Sequence, residues 1–106
     1  MEADAKVLDR LTGFVGKIQA ETVLHYMKNL PNLTFPTFSA KEGGKFFKII
    51  TDNGTQQSVY CFVNKQNGDI YKAATWKAPA KHVRGNIFHK NFGWGTAVNL
   101  YGANYL

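Results

Sequence analysis

Cysteine is almost missing from this chain. Cys61 stands alone, so no internal disulfide can form and the disulfide-stapled secreted scaffolds are excluded. Long apolar runs are missing too, and none approaches the roughly 18 residues of a membrane span. The first ten residues, MEADAKVLDR, mix acids with bases and have no apolar centre of the signal-peptide kind. The expectation is therefore a cytosolic protein that does not engage a membrane. Repeats, low-complexity tracts and internal linkers are absent. Acidic side chains run out early: after Asp69 there are none.

Motifs for catalysis are scarce as well. Cys61 lies in the middle of an apolar stretch, where a thiol behaves as a small hydrophobe. His25, His82 and His89 fall at no metal-ligand spacing, so no metal site is expected. Asp52 and Asp69 each belong to a turn signal, which leaves no carboxylate pair for acid–base work. No glycine-rich phosphate loop follows a strand. No cofactor is expected, and an enzyme is not the expected class. The one form open to test is a metal-free nuclease, with His82 moving protons beside Lys81 or Arg84.

What is present is cationic charge, unevenly placed. The 106 residues carry a net charge of +6. Residues 1–40 balance Lys6, Arg10, Lys17 and Lys28 against Glu2, Asp4, Asp9 and Glu21. Residues 41–106 set nine bases against Glu42, Asp52 and Asp69, and so hold the whole excess. A field of that shape attracts polyanions, which points to nucleic acid or a nucleotide as partner.

Hydrophobic content of 44% with 19% charge describes one folded α+β domain. Its expected parts are a helix in 1–31, an antiparallel sheet in 32–76, and a basic turn with a Gly- and aromatic-rich tail in 77–106. Within the first part, Val7, Leu8, Leu11, Phe14, Val15 and Ile18 recur at three and four, and the stripe drifts on through Val23, Leu24, Met27 and Leu30. Pro31 stops it. Gly13 and Gly16 each weaken a helix by about 1 kcal/mol relative to Ala, and mark either a close approach or a break. If the sheet is too small to cover the stripe, the helix becomes a route to a homodimer or higher oligomer.

A small meander of three to five strands is expected next. Residues 33–38 read as an edge strand around Pro36, 40–44 as a turn, and 45–51 and 58–64 as strands. Asn67-Gly68 predicts a two-residue type I′ hairpin. That turn pairs Asn64 with Tyr71 and Phe62 with Ala73 on one face, and Val63 with Lys72 and Cys61 with Ala74 on the other. One face is then aliphatic, and the other offers Tyr60, Phe62 and Tyr71. If the aliphatic face is the core, the aromatic face becomes a stacking platform. If the aromatics are the core, Lys72 and Trp76 line the open side. Residues 77–85 fit a short helical turn, with Pro79 early and Gly85 as its cap. The tail, including Tyr101 and Tyr105, is too apolar to be disordered. It is expected to wrap back on the sheet and to add an edge strand at 96–100.

The candidate site follows from residues 70–88, IYKAATWKAPAKHVRGNIF. Lys72, Lys77, Lys81, His82 and Arg84 surround Trp76, with Tyr60, Phe62 and Tyr71 on the adjoining strands. Cations beside flat rings suit a ligand that carries both phosphate and bases.

Residues 58–88 also resemble small uncharacterised proteins of tailed bacteriophages. In that group a hairpin with a Gly-Asp turn leads into a Trp-Lys-x-Pro-Ala-Lys-x-x-Arg-Gly-Asn segment, and a Tyr-Gly-x-x-Tyr-Leu ending follows. The resemblance covers residues 45–106, with a departure at 89–95. It implies a phage gene acting in the cytoplasm of an infected bacterial host, and it implies no activity. Three functions fit these readings. The first is binding of single-stranded nucleic acid. The second is a sponge that sequesters a cyclic or other signalling nucleotide in anti-defence. The third is a virion or assembly component whose basic face touches packaged DNA.

Overall fold

A computed structural model describes residues 2–104. Its elements run α1 (Ala5–Asn29), β1 (Thr37–Glu42), β2 (Phe46–Asp52), β3 (Gln57–Asn64), β4 (Asp69–Tyr71), β5 (Gly85–Asn86), β6 (Val98–Asn99) and β7 (Gly102–Ala103). The first five strands form one antiparallel sheet in sequence order, and β6 pairs with β7 in a separate hairpin. This is the expected α+β meander beneath one long helix. The helix is continuous through both glycines.

Asp4 caps α1, accepting from the Lys6 N–H at 2.9 Å. The helix buries Val7, Leu11, Phe14, Ile18 and Thr22 against the sheet. Leu8, expected in that stripe, is exposed. The sheet answers with Phe47, Ile49, Cys61, Val63 and Ile70, of which Cys61, Val63 and Ile70 belong to the aliphatic face of the sequence reading. Gln19 fastens the helix to the sheet edge. Its amide donates to Pro36 O at 3.0 Å and accepts from Phe38 N at 3.0 Å, as a neighbouring strand would. Pro36 therefore sits just outside β1. The strand begins at Thr37 and takes in residues 40–42, which the sequence reading had placed in a turn.

The hairpin between β3 and β4 differs from the expected one. Phe62 pairs with Tyr71 and Val63 with Ile70, so four residues make the loop. A type I′ turn needs positive φ at both central residues, and of the pair only Gly68 has it, at 80°. Asn64 decides the matter. Its side-chain oxygen accepts from Gln66 N at 2.8 Å and Asn67 N at 3.2 Å, which opens the turn two residues earlier on the β3 side. Each pairing moves by two, and with a side-chain period of two the faces survive the slip.

Tyr60 changes face. Between Ile49 and Ile50 the β2–β3 register skips, pairing Ile49 with Cys61 and Ile50 with Val59. Tyr60 is the extra residue of a bulge, and its ring joins Cys61 in the core under α1. There its hydroxyl donates to Asn99 O, holding the tail hairpin. The tail does wrap back, and Ala97, Val98 and Ala103 enter the core. It forms its own hairpin rather than an edge strand at 96–100. Tyr105 and Leu106 lie outside the described residues.

The expected helical turn at 77–85 does not form. The Thr75 hydroxyl accepts from Lys77 N at 3.2 Å and Ala78 N at 3.1 Å, which resembles a helix start. Ala78 O, however, accepts from Ala74 N and Thr75 N, and Lys72 O accepts from Ala80 N. The backbone thus closes on itself as a narrow hairpin, with Ala73 bridged to Pro79. Arg84 N then donates to Ile70 O at 2.7 Å, and the chain re-enters the sheet as β5, beyond the expected limit at residue 76.

Gly13 marks a close approach. A Cβ there would stand 2.6 Å from the Phe92 ring. Phe92 lies in a left-handed turn, with φ of 58°, between Asn91 at 55° and Gly93 at 82°. That conformation costs a non-glycine residue roughly 1–2 kcal/mol. Its ring is pinned between Gly13 and the Arg10 guanidinium, 3.8 Å from the ring centroid, while Arg10 also donates to Ile87 O and His89 O. We expect Gly13→Ala to lose about 1–3 kcal/mol in urea unfolding, through overpacking that outweighs the helix gain. The same change in a Phe92→Ala background should cost far less. Gly16 has open space at its Cβ position, so Gly16→Ala should add about 1 kcal/mol.

Candidate nucleic-acid interface

The sheet is apolar on both faces, and α1 covers one. On the other, strand alternation and register bring up Phe46, Lys48 and Ile50 from β2, Val59 and Phe62 from β3, and Tyr71 from β4. Phe46 packs edge-on against Phe62 at 6.0 Å and against Tyr71 at 5.4 Å. The 72–80 hairpin folds over this surface and carries Trp76 and Lys77 back toward β2.

A groove results, lined by the Gly43–Gly44 turn, Lys45, Phe46, Lys48, Phe62 and Lys77, and enclosing about 300 Å³. Trp76 stands at its side, 44% exposed, with the Lys48 ammonium 4.3 Å from the indole centroid. A cation at that distance over an indole is attracted by about 0.5–1 kcal/mol at an exposed site. No acid lines the groove. The nearest in sequence, Glu42, is engaged by Lys65, whose ammonium is buried and lies 2.7 Å from Glu42 Oε2 and 2.9 Å from Gly43 O.

The sequence-predicted residues divide. Lys77 lines the groove, Trp76 borders it through Lys48 and lines a neighbouring hollow with Gln57, Ser58 and Val59, and Tyr71 stands beside it, half-buried. Lys72 is half-buried at the root of the loop, while Lys81 and His82 are exposed on its return limb. Tyr60 leaves the site altogether, since the bulge turns it under the helix. Phe62 stays on the predicted face but is only 3% exposed, so it forms the floor and offers no open ring. The stacking platform of Tyr60, Phe62 and Tyr71 is thereby replaced by a single exposed indole above a closed aromatic layer.

Arg84 has a different task. Its Nη1 donates to Asn104 O at 2.9 Å and its Nε to His82 O at 3.2 Å, which ties the loop to the tail. The nuclease arrangement of Arg84 as phosphate holder beside His82 thus loses its cation to main-chain carbonyls. Lys45 and Lys48 were missed. Alternation along KFFKII, read across to Phe62, places Lys48 on this face.

Over residues 2–100 the chain matches a family of unknown function (DUF7717). It belongs to that family. No curated protein and no solved structure matches it. Among the described residues no helix is long and apolar enough to cross a membrane.

Two predictions follow from these placements. Arg84→Ala should lower stability by about 1–2 kcal/mol without any ligand present, because two carbonyls lose a charged donor; a chemical melt checks this. Burial pushes the Cys61 thiol well above its ordinary value of 9.0 and the Tyr60 hydroxyl above 10.0. The unfolded chain therefore ionises first. The stabilisation is complete below about pH 9 and is lost as pH rises past it. The denaturation midpoint should fall steadily above pH 9, and a thiol reagent should label Cys61 only on unfolding.

Proposed function

We propose that the protein is a phage-encoded binder of phosphate-rich ligands that carry bases, single-stranded nucleic acid first among them. The observation behind this reading is the Lys48 ammonium held over the exposed Trp76 indole, in a groove shared with Lys45 and Lys77 and lined by no acid. Cations that track a backbone beside a ring that accepts any base are what sequence-tolerant single-strand binding requires. The excess charge of residues 41–106 gathers polyanions toward the same end of the chain.

The groove's volume supports a second reading. About 300 Å³ suits one nucleotide, so a (cyclic) nucleotide sponge acting in anti-defence is the alternative. A polymer should bind more tightly as an oligothymidine is lengthened, and its affinity should fall with salt on a logarithmic slope of about −2 for three lysines on a single strand. A pocket for one nucleotide should instead saturate with a mononucleotide or cyclic dinucleotide and raise the melting temperature. Fluorescence anisotropy separates the two. Under either reading, Lys48→Ala with Lys77→Ala should weaken binding by about tenfold or more, and Trp76→Ala by about fivefold to a hundredfold through lost stacking. Unchanged affinity in all of these variants would remove the groove from consideration.

A further inference from the structure

The helix outruns the sheet it covers. At 1.5 Å per residue α1 spans about 37 Å, while β3, the longest strand at eight residues, spans about 27 Å. Burial along α1 ends at Thr22. The overhang should turn polar there, yet it keeps Val23, Leu24 and Met27 on the side away from the core. Leu24 is 60% exposed and Met27 67%. Large apolar side chains left clustered in the open at the end of a helix mark a surface that something covers.

The patch is continuous. Met27, Leu30, Leu33 and Phe35 line one hollow, and Leu30 lines another with Tyr101. With Leu24, these six side chains expose on the order of 700 Å², above the usual largest patch on a monomer and near the ~800 Å² each partner gives to a standard interface.

We infer that this face binds a second copy of the same chain, through two antiparallel α1 overhangs related by a two-fold axis near residues 24 and 25. Charge favours self-association here in particular. Residues 1–40 sum to zero, whereas the +6 belongs to residues 41–106, so two copies meeting at the overhang avoid the repulsion that any contact through the basic segment would carry. The rim is also self-complementary. Glu21, which also holds Lys17 of its own helix at 3.0 Å, and Lys28 lie two helical turns apart on one flank, so an antiparallel pair brings Lys28 of each copy up to Glu21 of the other as a second cation. This interface does not involve the groove.

Sedimentation equilibrium and light scattering at several hundred micromolar test it directly. The wild-type mass should be twice 11.9 kDa. Leu24→Glu with Met27→Glu should halve it while leaving the circular dichroism melt in place, because both side chains are exposed. Glu21→Lys and Lys28→Glu should each be monomeric alone and form a dimer when mixed, an outcome that only the antiparallel geometry gives. A wild-type monomer at these concentrations overturns the inference. So does a dimer that survives the double glutamate change, or a monomer that co-sediments with phosphatidylglycerol vesicles, which would assign the face to a lipid surface.

Discussion

A sheet with apolar side chains on both faces, and among the described residues one α-helix to cover it, governs this fold. α1 takes the face of Phe47, Ile49, Cys61 and Val63. The other face, with Phe46, Ile50 and Phe62, still has to leave water, because burying apolar area is the main favourable term in folding. The chain closes it with the 72–84 excursion between β4 and β5. A narrow hairpin is an imperfect lid. Phe62 is sealed beneath it, but Trp76 is left half out and the lysines of β2 and of the hairpin's own tip ring the remaining gap. The groove is thus a by-product of how the second face is covered, and its chemistry comes from the residues at the margin of the lid.

The same shortage of covering elements explains the tail. With no second α-helix among the described residues, residues 97–103 supply Ala97, Val98 and Ala103 to the core. The bulge at Tyr60 is the point of attachment. It turns one ring toward α1, where Phe38 meets it edge-on at 5.2 Å and Asn99 O takes its proton donor. A Cβ on Gly102 would stand 2.7 Å from Tyr60 O, so only glycine lets the tail backbone lie against the bulged strand.

Much of this architecture was legible in the sequence. Period 3.6 gave the helix, period 2 gave the strands, and the Asn-Gly turn gave the faces of β3 and β4 even though its type was misjudged. The errors share a cause. Asn64, Thr75 and Gln19 each direct the backbone through side-chain hydrogen bonds, which periodicity does not register. The bulge at Tyr60 is set by pairing with β2 and by the tail, partners distant in sequence. For the site, local clustering found Trp76 and Lys77 but also gathered Arg84, whose charge is used some twenty residues away at Asn104. Lys48, thirty residues earlier, could be reached only by carrying the alternation across a strand pair.

The bonds from Arg10 to Ile87 O and His89 O span 77 and 79 residues. With the tail in the core, this bears on how the protein is made. While the ribosome is still adding residues 97–103, α1 has no complete surface on which to settle, and its apolar stripe stands open as the chain emerges. Such non-local closure slows folding and postpones it until residues 97–103 have emerged. Apolar surface open in this way is prone to associate, and the excess positive charge of residues 41–106 opposes that association.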